Sequence, residues 1–251
     1  MKNIDIVVLS VLLATLFAAG DGRAVGGESD LPEANINVFD TAAVQRGARL
    51  FVDYCAGCHS AKYMRYKRLA QDLGYSDEEI LEALAPPDAK IGDAMTVAAK
   101  VEDARTWFGI PPPDLSLVAR IRGTDWVMGY LEGFYRDPER PLGWNNIVFE
   151  NASMPNPLWA LQGIQEPVFE EHTNGDGTTT HRVVGVKAGT PGTLEAAEFH
   201  GTVRDLVTFL AYLSEPARLE RHPLGKWVLM YLVVFALLAW LLKHEYWKDV
   251  E

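Results

Sequence analysis

The pentapeptide Cys55-Ala-Gly-Cys58-His59 constrains this chain more than any other stretch, because it holds the only two cysteines in 251 residues. Two thiols about one helical turn apart match the reach of the two haem vinyl groups, and the adjacent imidazole can meet the iron. A zinc site would want four ligands, usually with a second Cys or His cluster, whereas His172, His181, His200, His222 and His244 are scattered. A redox dithiol would follow a strand, yet Cys55 follows a helical pattern. The motif therefore reads as covalent attachment of one c-type haem. No second C-x-x-C-H exists for another.

Both ends of the chain are apolar. Lys2 precedes an uncharged stretch from Ile6 to Ala19, followed by Gly22-Arg23-Ala24, which reads as a signal peptide at 1–24 with cleavage after Ala24. Export suits the motif, since bacterial c-type haem is attached outside the cytoplasm, where two free thiols would otherwise pair. Near the other end, Trp227 to Leu242 carries no charge and is bracketed by Lys226 and Lys243. Counted from Leu224 to Lys243, with snorkelling lysines and interfacial Trp and Tyr, it is long enough for one membrane-spanning helix. The expected organisation is a signal peptide at 1–24, an exported domain at 25–222, a transmembrane anchor at 223–243 and a cytoplasmic tail at 244–251.

Removing residues 1–24 takes away Lys2, Arg23, Asp5 and Asp21, so the formal charge stays at -11. An acidic chain is a poor partner for nucleic acid, which needs clustered Lys and Arg. Acidic residues gather between Asp77 and Asp103 and again at Glu166, Glu170 and Glu171. They are either a solvated face or a field that steers a basic soluble partner.

Within the exported part, Asp40 can cap a helix to Tyr54 with Ala43, Val44, Gly47, Leu50, Phe51 and Tyr54 on one face. Gly47 would admit a second helix closely, and Thr202 to Leu213 offers the matching apolar stripe. Helices are also expected over Asp77–Leu84, Leu115–Arg122 and Asp125–Tyr135, with proline clusters between them. Glu166 to Val186, around Asn174-Gly175-Asp176-Gly177, reads as a β-hairpin. That run lacks the ligand spacing of a calcium loop.

The second axial ligand decides what a haem does: a Met sulfur saturates the iron and suits electron transfer, whereas an open position invites ligand chemistry. Met230 lies in the apolar segment, Met64 is only five residues past His59, and Met128 sits in a helical pattern. Met154, in a segment that two prolines hold irregular and that comes late enough to fold over the far face, is the favoured candidate. Met95, in a loop-like Gly-Asp-Ala-Met-Thr, stays open. Arg120 and Arg122 are both candidates for pairing with haem propionates.

The ordered set C-A-G-C-H at 55–59, P-P-D-L-S at 112–116, the A-R-I-R-G that follows, F-E-N-A-S-M-P at 149–155 and a single C-terminal anchor resembles cytochrome c1 of the proteobacterial cytochrome bc1 complex, quinol:cytochrome c oxidoreductase. The resemblance covers essentially the whole exported chain. It implies a mainly α fold, a cytochrome c-like haem domain with insertions and a small β-hairpin, plus one C-terminal transmembrane helix. It implies Cys55 and Cys58 as thioether attachments, His59 and Met154 as axial ligands to iron, Arg122 as the propionate partner, Pro112 and Pro113 as walls, and an aromatic contact from Trp126. No residue is expected to be catalytic.

The same resemblance implies a bacterial inner-membrane protein with its haem domain in the periplasm. Its expected partners are cytochrome b, a Rieske iron-sulfur protein that donates one electron, and a soluble or tethered cytochrome c that receives it, within a dimeric complex. Two rival readings make different demands. A stand-alone tethered shuttle needs only about half of the roughly 200 residues available here. A haem sensor or enzyme with an open sixth position would lack the late loop methionine.

Overall fold

Asp40 starts the first helix: its carboxylate accepts a hydrogen bond from the Ala43 amide at 3.1 Å, and α1 runs Thr41–Tyr54. The structure is a computed structural model describing residues 31–97, 99–173 and 179–249, so the expected leader at 1–24 lies outside the described residues. After the cysteine motif comes a two-stranded antiparallel sheet, β1 (Ala61–Arg65) with β2 (Ala94–Met95). Two helices separate its strands, α2 (Tyr66–Leu73) and α3 (Asp77–Leu84). The second matches the expected span because Ser76 and Glu79 cap each other's amides, at 3.1 and 2.7 Å. The first was not expected, although Tyr66, Leu69, Ala70 and Leu73 fall at helical spacing before Gly74, which ends the helix at φ 73°.

The chain continues through α4 (Val101–Phe108), α5 (Val118–Arg122) and α6 (Thr124–Glu132). A second hairpin, β3 (Phe134–Arg136) with β4 (Trp144–Asn146), then leads by an irregular stretch to α7 (Trp159–Gln162). Two expectations need correction here. The helix expected from Leu115 begins only at Val118, because the Leu115 amide is given to the Ser60 carbonyl and the Ser116 amide to the Asp114 carboxylate. The helix expected to reach Tyr135 stops at Glu132, since Phe134 and Tyr135 pair with Asn146 and Asn145 across the sheet. Cross-strand pairing outweighs local helical spacing there.

The long hairpin pairs β5 (Gly163–Thr173) with β6 (Thr179–Pro191), extending beyond the expected 166–186 at both ends. Its Asn174-Gly175-Asp176-Gly177 turn lies outside the described residues. Last come α8 (Ala196–Ser214), which starts six residues before the expected Thr202, and α9 (Arg218–Tyr246). The fold is mainly helical with small antiparallel hairpins. Helix α9 is long and apolar enough to cross a membrane, with a mean hydropathy of 2.0 over an 18-residue window, none of it buried.

The core forms where α1 and α8 cross. Phe51 and Phe209 are fully buried with ring centroids 5.5 Å apart, each worth about 1.5–3 kcal/mol on burial. A methyl at Gly47 would overlap the Asp205 carbonyl and lie 2.7 Å from the Phe209 Cβ. Arg46 forks onto the Asp205 carboxylate beside this contact. Gly47→Ala should therefore lower the unfolding free energy by about 1–3 kcal/mol through overpacking, against an intrinsic helical gain of about 1 kcal/mol. Denaturant unfolding of the purified holoprotein measures the balance, and an unchanged midpoint would mean that the helices separate without cost.

Candidate haem site

At the C-terminus of α1 the backbone turns on two carbonyls. The amides of Cys55 and Ala56 both reach the Phe51 oxygen, at 2.9 and 2.8 Å, and those of Cys58 and His59 reach the Cys55 oxygen, at 3.0 and 2.8 Å. This tight turn brings Cys55, Cys58 and His59 to the wall of one cavity of about 430 Å³, within the usual range for ligand pockets. Cys55 is buried and Cys58 is exposed. Burial, helped by the nearby Cys58, pushes the Cys55 thiol up to about 12.

His59 Nδ1 lies 2.8 Å from the Pro113 carbonyl oxygen. A carbonyl can only accept, so Nδ1 carries the proton and the Nε2 lone pair is left for a metal. Burial lowers the His59 pKa, against opposing contributions from Pro113 and Asp114, which favours the neutral ring. The Pro112–Pro113 wall is itself pinned. The Asp114 carboxylate accepts from the Lys62 amide at 2.9 Å and the Ser116 amide at 3.0 Å, while the Ser116 hydroxyl accepts from the Tyr63 amide at 3.1 Å. Burial acts to raise the Asp114 pKa, but hydrogen bonding from the Ser116 side chain and from the Lys62 and Ser116 amides outweighs it and holds the group below the ordinary carboxylate range. P-P-D-L-S thus ties the wall to the strand that follows the motif.

Further lining comes from α5 and α6, α8 and the stretch after β4. Arg122 lines the cavity with its guanidinium 4.8 Å from the Trp126 ring centroid and 5.9 Å from that of Phe149. Arg120, the other propionate candidate from sequence, points instead toward Glu215 at 3.9 Å. Trp126 stacks on Tyr130 with centroids 5.0 Å apart and planes 8° apart. Burial pushes the Tyr130 hydroxyl up to about 12. Leu206 and Leu210 of α8 add apolar lining to the cavity.

Met154 lines the same cavity. Met95 does not: it lies in β2 opposite Ala61 and is buried in the core. Met64 and Met128 are core residues too, and Met230 is exposed on α9. Cys55, Cys58, His59, Pro112, Pro113, Arg122, Trp126 and Met154 are therefore all brought to one cavity. Sequence reasoning passed over Asp114 and Ser116, whose Asp-x-Ser spacing is a recognisable side-chain turn signal. It also gave no role to Tyr130, because an aromatic in a helical pattern reads equally well as core, and none to Phe149 beyond its place in the 149–155 motif.

The donor set fits a covalently held haem. Two thiols and one imidazole stand on a single turn, a thioether and a guanidinium share their cavity, and the remaining walls are largely apolar. Comparison with known proteins points the same way. The sequence pattern of the Cytochrome C1 family matches residues 33–250. A cytochrome c1 of Allochromatium vinosum is 48% identical over 243 residues, 96% of this chain and 99% of the relative. A protein of Nitrosomonas europaea named ammonia monooxygenase gamma subunit is 40% identical over the full length of both chains. A cytochrome c1 of Rhodospirillum rubrum is 27% identical, covering 96% of this chain and 99% of its own. With the family pattern spanning nearly all of the chain and a 48% identical relative covered almost end to end, this protein belongs to the Cytochrome C1 family.

Proposed function

We propose that this chain is the membrane-anchored electron-transfer subunit of a quinol:cytochrome c oxidoreductase, the cytochrome bc1 complex. It accepts one electron from a Rieske iron-sulfur protein and passes it to a soluble or tethered cytochrome c. The observation that carries this reading is one largely apolar cavity that gathers two thiols, a held imidazole, a thioether and a guanidinium, in a chain of the Cytochrome C1 family. When bound, haem c supplies a one-electron iron couple in that cavity.

The chain's residues do the rest. Cys55 and Cys58 would attach the porphyrin, His59 Nε2 and the Met154 sulfur would hold the iron, and Arg122 would pair with a propionate. Pro112 and Pro113 orient the His59 ring through the Pro113 carbonyl, and Trp126 with its aromatic neighbours excludes water. Quinone binding and proton movement belong to a cytochrome b partner.

Residues 223–243, within helix α9, form the membrane anchor, with the haem domain at 25–222 in the periplasm, residues 244–251 in the cytoplasm and 1–24 as the leader. Part of the acidic cluster is already committed: Asp77 pairs with Lys67 at 2.8 Å and Glu79 caps α3. Steering of a basic acceptor therefore falls to Glu78, Glu82 and the remaining members.

Gentle detergent purification should recover cytochrome b and a Rieske protein with this chain. Recovery with monooxygenase subunits instead would favour the context suggested by the name of the Nitrosomonas relative and overturn the proposal. The attachment is tested separately: colour should stay with the polypeptide through acid-acetone extraction, and the double variant Cys55→Ala, Cys58→Ala should lose it. Met154→Leu should keep covalent haem, bind carbon monoxide when reduced, and lower the midpoint potential by a sizeable part of the about 0.8 V that axial ligation spans. Redox titration reads that shift, and an unchanged potential would remove Met154 from the iron.

A further inference from the structure

Residues 147–158, between β4 and α7, contain no helix or strand, yet they carry Phe149, Met154 and Pro155 into the cavity wall. Backbone groups without a ladder need other partners when buried. Here asparagines provide them. The Asn145 side-chain oxygen accepts from the Asn151 amide at 2.8 Å and the Asn146 amide at 2.9 Å, while its nitrogen donates to Asp137 at 2.9 Å. Asn146 accepts from the amides of Val148 and Phe149, at 2.8 and 3.1 Å, and donates to the Tyr130 carbonyl at 2.7 Å. Both asparagines are buried.

Asn151 is the fulcrum. Its φ of 63° lies in the left-handed region, which asparagine tolerates better than most residues. The Arg140 guanidinium forks onto it, donating to its side-chain oxygen at 2.8 Å and its carbonyl at 3.2 Å. Arg140 does so while its Nε is buried with no hydrogen-bond partner. An unpartnered buried donor is unfavourable, and the two hydrogen bonds of the fork act against that cost. On the other flank, Asn156 accepts from the Leu158 amide at 2.9 Å and donates to Gln162 at 2.8 Å, and Gln162 donates to the Glu132 carbonyl at 2.7 Å. Met154 thus sits three residues after one pin and two before the next.

We propose that Arg140 and Asn145 on one side, and Asn156 with Gln162 on the other, are positioning residues for Met154. They hold a segment without secondary structure so that its sulfur stays presented to the cavity. The inference rests on the reading of Met154 as an axial donor. A methionine has three rotatable bonds, so the time its sulfur spends at the iron depends on how firmly its backbone is held. Arg140 is the part of the brace most open to test, because it is only half-buried and belongs to a surface turn.

The test compares the full-length holoprotein with Arg140→Ala, Arg140→Lys, Asn151→Gly and Met154→Leu. Four quantities are read: the thioether-to-iron charge-transfer band of the ferric form, carbon monoxide association with the ferrous form, the midpoint potential, and hydrogen exchange at the Asn151 amide. Arg140→Ala should weaken the band, lower the potential, speed Asn151 exchange and raise carbon monoxide association about tenfold, equivalent to about 1.4 kcal/mol. Asn151→Gly keeps the backbone conformation and the carbonyl acceptor but loses the side-chain acceptor of the fork, so it should reproduce these changes in part. Arg140→Lys should restore only part of the parental behaviour, because one ammonium cannot match the planar fork. If Arg140→Ala and Asn151→Gly keep the parental band, potential and association rate while Met154→Leu changes all three, the brace is refuted and the ligand reading stands. Loss of thermal stability alone in Arg140→Ala, with those three at parental values, also refutes it. If Met154→Leu itself changes none of them, the ligand reading fails and takes the inference with it.

Discussion

The contact of Gly47 with the backbone of Asp205 sets how closely α1 and α8 approach, and the cavity depends on that distance. Helix α1 delivers Cys55 at its C-terminal cap, while α8 sends Leu206 and Leu210 to the cavity wall. Were the two helices a methyl's width further apart, the thiols and the apolar wall would no longer face a common space at the same separation. The flanking Phe51 and Phe209 pair makes the approach favourable by burial, and the fork from Arg46 to Asp205 orients it. Burial dominates this balance, since the Arg46 side chain is 58% exposed and such surface pairs are worth about 0–1 kcal/mol.

Around that crossing, the walls are built less by regular elements than by short polar side chains that take the place of ladders. Asp114 and Ser116 bind the strand after the motif, and Asn145, Asn146 and Asn156 bind the stretch that carries Met154. Each satisfies backbone groups that would cost about 1–3 kcal/mol if left buried and unpaired. An irregular wall built this way has a practical use. It lets a haem-sized cavity be lined on several sides without a helix or sheet long enough to fill it.

A third group of contacts joins the head to the apolar helix. The Tyr212 hydroxyl donates to Asp72 at 2.7 Å, Arg68 donates to Asp72 at 2.6 Å and to Glu220 at 2.9 Å, and Arg221 pairs with Glu215 at 2.7 Å. Phe39 lies against His222 with ring centroids 5.0 Å apart. Of these, Glu220, Arg221 and His222 lie at the start of α9, whose 29 residues rise about 44 Å against a bilayer core of about 30 Å. The first turns can therefore stand clear of the apolar core and carry the head's ion pairs in a polar setting.

Much of this protein is written locally in its sequence. The cysteine motif, the Asp40 and Ser76 caps and the uncharged run after Lys226 each depend on neighbours a few residues away, so spacing alone reveals them. The helix at Tyr66–Leu73 was legible by the same rule and was passed over. Other features depend on residues far apart in the chain. Met154 rather than Met95 lines the cavity because Met95 is drawn into a strand opposite Ala61, and Arg122 rather than Arg120 faces inward because Glu215 lies near Arg120. The helix that was to reach Tyr135 ends early because Asn145 and Asn146 claim its last residues for a sheet. Local periodicity and capping determine which segments form, whereas the choice among equivalent methionines, arginines and backbone partners is made only when distant segments compete for the same hydrogen bonds and the same buried space.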